Sequence, residues 1–318
     1  MILTITLNPS MDYSYITDAL KLGKVNRVEN PFISIGGKGI NAGRVGAISG
    51  SGMILTGVLG GQNGHSILDT LKKEHRYSLE FLEIDGNSRN AVTIMHDQHT
   101  HTELVEKGIY LSEESEKNFY QHLSTLFDKY LIEVVCISGS VNSDNPEFYS
   151  NLMTHLRKKL GTEFPILLDI SGNQLKNVLK NKEYKPTFIK PNTHEIEEIL
   201  GEELTSTEDV LRVLKKDIFQ GIDIVMISRG SKGALVNYKN KIYDIKIPKI
   251  KVVNTTGCGD ATVGGMAHAL RKNSSISDAL KYSMACGMSN AQFNTNGIID
   301  LENTLALAEL VELNELSK

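Results

Sequence analysis

The stretch NTTGCGDATVGG, residues 254–265, sets two glycines around a cysteine and puts a carboxylate just ahead of small and apolar residues at helical spacing. Gly257 and Gly259 allow the backbone to turn tightly, so that N–H groups around Cys258 and Asp260 converge where a helix begins. The helix dipole adds to the attraction of such a site for anionic oxygen. Asp260, on the same turn, is placed to accept a proton from a hydroxyl attacking a phosphorus held by those N–H groups. Taken alone, the pattern suits a plain capping carboxylate after a glycine turn equally well.

A second glycine-rich stretch lies far upstream. In IGGKGINAGR, residues 35–44, Gly36, Gly37 and Gly39 surround Lys38, and Asn41 falls on the expected first turn of a helix. Lys38 is not followed by Ser or Thr, and the glycine spacing is wrong for a Walker A loop. The stretch still suits close approach of backbone to a ligand, with the Asn41 carboxamide offering a donor and an acceptor to sugar hydroxyls. A purely structural turn is the bland alternative.

Three other signals carry less. GVLGGQNG at 57–64 lacks the acidic ribose contact of a dinucleotide loop. His96, His99 and His101 fall at a polar hairpin tip and read as solvated turn residues rather than metal ligands. Cys258 stands at a helix start, where a thiol can be activated, but phosphoryl transfer of this type needs no covalent enzyme intermediate.

Periodicity supplies the elements that must hold these residues. Near-continuous apolar runs at 1–7, 53–60, 132–140, 164–172, 187–192 and 222–230 read as buried strands of a parallel sheet. Helical patterns at 38–49, 114–130, 145–160 and 206–219 alternate with them, which is the α/β signature. Residues 11–35 and 88–107 alternate apolar and polar side chains and are expected to form a small antiparallel sheet inserted in the α/β domain of 1–10, 36–87 and 108–318. From about 261 onward the pattern is mostly helical, and LALAELVEL near its end reads as amphipathic packing. Ligands of such domains gather beyond the carboxyl ends of the strands.

With 318 residues, 40% of them apolar, the chain can bury a substantial core. A formal charge of −4 without a basic cluster argues against nucleic acid or anionic membrane as partner. The opening residues lack a basic leader and read as a strand, and no apolar run nears the roughly 18 residues that span a bilayer, so a cytoplasmic location is expected. Cys136, Cys258 and Cys286 are odd in number and widely spaced, as reduced thiols are.

GGKGINAGR and NTTGCGDATVGG together resemble the two signatures of the PfkB (ribokinase-like) carbohydrate kinases. TLNPSMD at 6–12, VNR at 25–27, SRN at 88–90, SGS at 138–140, KPNTHE at 190–195 and SRGSKGA at 228–234 extend the likeness over nearly the whole chain. The combination is similar to the branch containing tagatose-6-phosphate kinase and 1-phosphofructokinase. The resemblance implies a ribokinase-like α/β fold with a β lid over the substrate. It implies ATP and Mg2+ as cofactors, a sugar phosphate as acceptor, and a homodimer formed through the lid.

By the same resemblance Asp260 is the catalytic base, and the N–H groups of Gly257, Cys258 and Gly259 form the anion hole. Asp12, Gly37, Asn41 and Ser138 bind the substrate, and Arg27, Arg89 and Lys38 face its phosphate. Asn192 and Glu195, taken to share one helix face, hold the water ligands of magnesium. Lys190, Asn192, Ser228, Gly230, Gly233 and Asn290 lie on the nucleotide side. Family members often have a potassium site near the loop at Asn254 and Thr256, though nothing in the residue chemistry requires one here. Departures are Cys258 between the anion-hole glycines, Arg229 in place of the more frequent Leu, and no proline after SGS, which leaves the loop before Asn142 open. Tagatose 6-phosphate is the expected acceptor and fructose 1-phosphate the alternative. A nonenzymatic sugar-phosphate sensor and a nucleotide-dependent oxidoreductase are the rivals from other classes.

Overall fold

Apolar strands need cover on both faces, and they receive it in the computed structural model, which describes residues 1–98 and 100–316. The first part of the chain runs through β1 (Ile2–Thr6), β2 (Ser10–Ile16), β3 (Phe32–Gly36), α1 (Lys38–Ile48), β4 (Met53–Leu59), α2 (Gly61–Lys73) and β5 (Tyr77–Glu83). After β6 (Arg89–His96) and β7 (Thr100–Val105) come α3 (Glu113–Lys129), β8 (Val134–Ser138), α4 (Phe148–Leu160), β9 (Ile166–Asp169), α5 (Gly172–Lys180) and β10 (Phe188–Ile189). Next are α6 (Thr193–Leu200), α7 (Thr207–Leu214), β11 (Ile224–Ser228), β12 (Ala234–Tyr238) and β13 (Lys241–Lys246). Last are α8 (Cys258–Arg271), α9 (Ile276–Asn290), α10 (Leu301–Leu310) and β14 (Glu312–Leu316).

A ten-stranded sheet has the order β14-β13-β12-β11-β10-β9-β8-β1-β4-β5. It is parallel from β11 to β5 and antiparallel from β11 to β14. Alternate residues of its strands serve opposite faces. Leu3, Ile5 and Ile137 join Phe119 of α3 and Phe148 of α4 in one core. Ile2, Cys136 and Leu167 join Val263 of α8 and Leu280 of α9 in the other. Each such fully buried aliphatic side chain contributes roughly 1.5–3 kcal/mol over leaving it in water. A second, four-stranded sheet has the order β3-β2-β6-β7, with antiparallel outer pairs joined by parallel pairing of β2 with β6. Its strands lie in the segments where alternation predicts a small inserted sheet, with Ser10 and Gly36 at their inner limits.

Local details depart from the sequence pattern where tertiary pairing decides. The helix expected over 206–219 stops at Leu214, and 217–219 form only a single 3-10 turn. The tail expected to stay helical instead becomes β14, which pairs Leu313 with Ile245 and Leu316 with Ile242. That strand covers the edge that β13 would otherwise leave unpaired. Of the three clustered histidines, His96 bonds to Asp97 and Thr102, and His99 lies outside the described residues. No helix among the described residues is long and apolar enough to cross a membrane.

Candidate active site

Four neighbouring parallel strands, β1, β8, β9 and β10, end at Thr6, Ser138, Asp169 and Ile189. The functional candidates collect beyond those ends, as open parallel sheets require. Here α8 begins. Gly257, its N-cap, is left-handed at φ +79°, and a Cβ there would come within 3.0 Å of the Asn296 Cβ. Only glycine adopts this turn without strain. Of the N–H groups that follow, that of Cys258 makes only a 3.4 Å turn bond to the Thr255 carbonyl, and a helix start of this kind is where anions bind.

Asp260 is the acidic residue of the first turn of α8 and is only 8% exposed. The Asn41 Nδ2 donates to its Oδ2 at 2.8 Å. Burial pushes the Asp260 carboxyl up to about 6, and the charge of Asp169 adds to the push; the Asn41 hydrogen bond, Lys38 and Lys190 oppose it. At neutral pH the group is therefore largely ionised yet ready to take a proton, the condition a general base needs.

Asp169, absent from the sequence candidates, sits at the centre of the charges. It is 4% exposed, 3.6 Å from the Lys190 Nζ and 3.7 Å from the Lys38 Nζ. Lys38 also lies 4.0 Å from the Glu195 Oε1. The Asp169 carboxylate strengthens the hold of Lys38 on its proton above the ordinary lysine value, against the cost of burial. Two cations beside a helix N-terminus can receive a polyphosphate. The one available signal for Asp169 was its place ending an apolar strand, ILLD.

Asn192 and Glu195 meet side by side at the very start of α6 rather than within it. Asn192 is the N-cap of α6; its side chain accepts from the Glu195 N–H at 2.8 Å, and the Glu195 Oε2 accepts from the Asn192 N–H at 2.9 Å. This capping box leaves the Glu195 Oε1 facing Lys38. Beside it a cavity of about 450 Å³ is lined by Lys190, Ser228, Gly230, Gly233, Cys258 and Gly259, with an apolar wall that includes Ile250, Met284 and Met288. Its size and lining suit an aromatic base carrying phosphates. Asn290 does not line this cavity. It is buried behind it, donating to the Thr256 carbonyl at 3.1 Å and accepting from the Gly297 N–H at 2.8 Å. Arg229 stays beside the nucleotide-side loop, where its Nη2 donates to the Lys232 carbonyl at 3.3 Å and to the Asp244 carboxylate at 2.8 Å.

On the other side, Asp12 of β2 accepts from the Ser10 hydroxyl at 2.5 Å and packs so close to Gly36 that a Cβ there would collide with its carboxylate. Burial raises the Asp12 carboxyl above the ordinary range. Arg89, opening β6, is in the electrostatic reach of Asp12, and its Nε is buried without a partner. Gly37 precedes α1 as its N-cap. Ser138 is fully enclosed with its hydroxyl toward the Cys136 thiol at 3.6 Å, while Ser140 is exposed and its hydroxyl accepts from the Asn8 Nδ2 at 3.3 Å. The loop after them is tied by Asn142, which donates to the Gly108 carbonyl at 2.8 Å. Arg27 lies exposed on the segment joining β2 to β3, with no ion pair among the described residues.

A parallel α/β sheet, a glycine-framed helix start carrying a buried carboxylate, and an adjoining base-sized cavity define a phosphotransferase fold and site. Residues 5–296 match the pfkB family carbohydrate kinases. The chain belongs to that family and is an ATP-dependent sugar kinase. A Staphylococcus aureus chain provisionally described as a phosphofructokinase is 29% identical, with 99% of each chain covered and a TM-score of 0.80. Escherichia coli phosphofructokinase-2 in complex with potassium is 24% identical over 97% of this chain and 98% of that one, with a TM-score of 0.85. A Thermotoga maritima chain provisionally described as a 1-phosphofructokinase shares the fold at 21% identity, complete coverage of both chains (100% and 100%) and a TM-score of 0.87.

Proposed function

We propose that the chain transfers the γ-phosphoryl group of ATP to a ketohexose monophosphate, with tagatose 6-phosphate as the acceptor. The observation that carries this reading is Asp260: a carboxylate buried at a helix N-terminus, held at about 6, and adjoining a cavity walled by Cys258 and Gly259. Asp260 takes the proton of the attacking hydroxyl, and the N–H groups of Gly257, Cys258 and Gly259 meet the charge developing on the phosphoryl oxygens. Lys38 and Lys190 balance the remaining phosphate charge. The Asp12 carboxylate orients acceptor hydroxyls, and the unpartnered Arg89 Nε supports a phosphate on the acceptor.

Among the described residues no group of three His, Cys, Asp or Glu side chains could cage a metal ion. That fits a magnesium ion held mainly by phosphates and water, with Asn192 and the Glu195 Oε1, beside Lys38, as its protein contacts through water. When bound, it neutralises charge between phosphate oxygens. A potassium ion near Asn254 and Thr256 belongs to the same proposal, and Escherichia coli phosphofructokinase-2 has been crystallised with that ion.

The four-stranded sheet serves as a lid that excludes competing water. Phe32, Ile33, Leu104 and Val105 of this sheet are each more than half exposed, at 57%, 51%, 61% and 53%, an apolar area that supports pairing of two lids in a cytoplasmic homodimer. The related Escherichia coli enzyme has a tetrameric inhibited form.

Coupled ADP-release assays over tagatose 6-phosphate, fructose 1-phosphate, fructose 6-phosphate and unphosphorylated sugars test the reading. Tagatose 6-phosphate should give the highest kcat/KM. Preference for fructose 1-phosphate would move the assignment to the alternative acceptor, preference for an unphosphorylated sugar would remove the phosphate contact at Arg89, and ATP consumption with none of them would leave the acceptor class wrong.

A further inference from the structure

Arg44 is buried in α1, with 6% exposure, and every arm of its guanidinium is engaged. Its Nη1 donates to the Asn41 Oδ1 at 3.2 Å and to the Ile35 carbonyl of β3 at 3.1 Å. Its Nε and Nη2 donate to the Glu74 Oε1 at 3.2 and 2.9 Å, and the Tyr77 hydroxyl donates to the other Glu74 oxygen. Asn41 thus stands between a group that only donates and a carboxylate that, ionised, only accepts. One orientation of its carboxamide satisfies both: Oδ1 toward Arg44 and Nδ2 toward Asp260. Turned over, it would set oxygen against the carboxylate and an amide N–H against the guanidinium. Among the described residues no other side chain bonds the Asn41 carboxamide.

We propose that Arg44 is a positioning residue for phosphoryl transfer, fixing the Asn41 carboxamide so that its Nδ2 and not its Oδ1 meets Asp260. The inference rests on Asp260 being the proton acceptor. Arg44 touches no reacting atom and acts through Asn41. The charged and titratable groups that face Asp260 are Lys38 at the start of α1, Cys136 on β8, Asp169 ending β9, Lys190 after β10 and Cys258 on α8. Burial pushes the Cys136 and Cys258 thiols up, so neither adds a negative charge near neutrality. The Asn41 amide is the side-chain hydrogen bond that favours the ionised carboxylate. With its orientation lost, burial and Asp169 act against ionisation with less opposition, and Asp260 keeps its proton to higher pH.

Arg44→Lys tests this, because one ammonium keeps a cation for Glu74 but cannot also span to Asn41 with fixed fork geometry. The acid limb of the kcat/KM profile should move up by about one pH unit, plateau kcat should fall about 10- to 100-fold, and the KM for ATP should stay within about twofold. Asn41→Ala combined with Arg44→Lys should lose no more than Asn41→Ala alone. An unmoved acid limb in folded Arg44→Lys, or losses that multiply in the double variant, overturns the proposal. Should thermal unfolding show that Arg44→Lys does not fold, Glu74→Gln gives the reading, since it loosens Arg44 from its far side. A smaller upward move of the limb supports the proposal and an unmoved one overturns it. Asp260→Asn runs in parallel: near-normal turnover there refutes the base itself, whereas an inactive Asp260→Asn beside an unchanged Arg44→Lys refutes only the role of Arg44.

Discussion

Asp169→Asn removes one negative charge from the neighbourhood of Asp260 while keeping nearly the same side-chain shape. In the native site that charge sits 3.6 Å from Lys190 and 3.7 Å from Lys38. A pair at such a distance is worth roughly 4 kcal/mol at an effective dielectric constant near 20. Without it both ammonium groups act on Asp260 with no nearer competitor except Glu195, 4.0 Å from Lys38. Burial, the largest cause of the raised Asp260 value, remains; the second cause is removed. The acid limb of kcat/KM should therefore fall from about 6. A drop of about one pH unit corresponds to about 1.4 kcal/mol. The plateau should fall as well, because the base is weaker and the lysines have lost their anchor, and the KM for ATP should rise by about three- to tenfold. ADP release measured from about pH 4.5 to 9, under subsaturating acceptor, gives the profile. A limb that stays in place or moves upward would refute the electrostatic account of the site. The direction is diagnostic, since Arg44→Lys is expected to move the same limb the opposite way, and general loosening of the fold produces no such pair of signs.

Gly257→Ala forces a left-handed residue to carry a Cβ, costing about 1–2 kcal/mol, and brings that atom within 3.0 Å of Asn296. Thermal unfolding should register the loss, and kcat should fall about 100-fold as the N–H groups shift; unchanged kcat would contradict their role. Asp260→Asn should stabilise the ligand-free protein at pH 8. The folded-state value of about 6 lies above the ordinary 3.8, so native Asp260 costs stability on the order of 2–3 kcal/mol above the folded value. That cost grows as pH rises from the lower value to the higher and is absent below the lower, so denaturant titrations of the two proteins should converge near pH 4. A variant no more stable than the native chain at pH 8 would contradict the burial cost. Phe32→Lys with Leu104→Lys should turn a dimer into a monomer in sedimentation, and an unaffected assembly would place the interface elsewhere.

The site was legible where backbone constraint and chemistry coincide in a short stretch. Glycines around Cys258 announce a turn, and Asp260 behind them announces what the turn presents. Asp169 escaped because its meaning depends on Lys38 and Lys190, which are distant in sequence and meet it only once β9 and β10 lie side by side. Asn41 was read as a contact for sugar hydroxyls from its amide chemistry, whereas helix packing of α1 on α8 turns that amide to Asp260. Asn192 has the type and spacing of a metal contact, and the same spacing also makes the capping box seen at the start of α6, a second use that the sequence alone did not announce. Six of the parallel strands, β1, β4, β8, β9, β10 and β11, were readable from their near-continuous apolar runs; β5 was not, because Tyr77–Glu83 mixes polar with apolar residues and is only partly buried at the sheet edge. Strand β14 was not, because Glu312–Leu316 carries a helix-compatible composition and becomes a strand through its pairing with β13.

The central claim is that Asp260 accepts the proton while the start of α8 holds the transferring group. Turnover of Asp260→Asn with ATP and the preferred sugar phosphate tests it most directly. The account predicts kcat lower by about two to four orders of magnitude, with nucleotide affinity, measured separately by equilibrium binding, nearly unchanged. Turnover within about a few-fold of the native chain would contradict it.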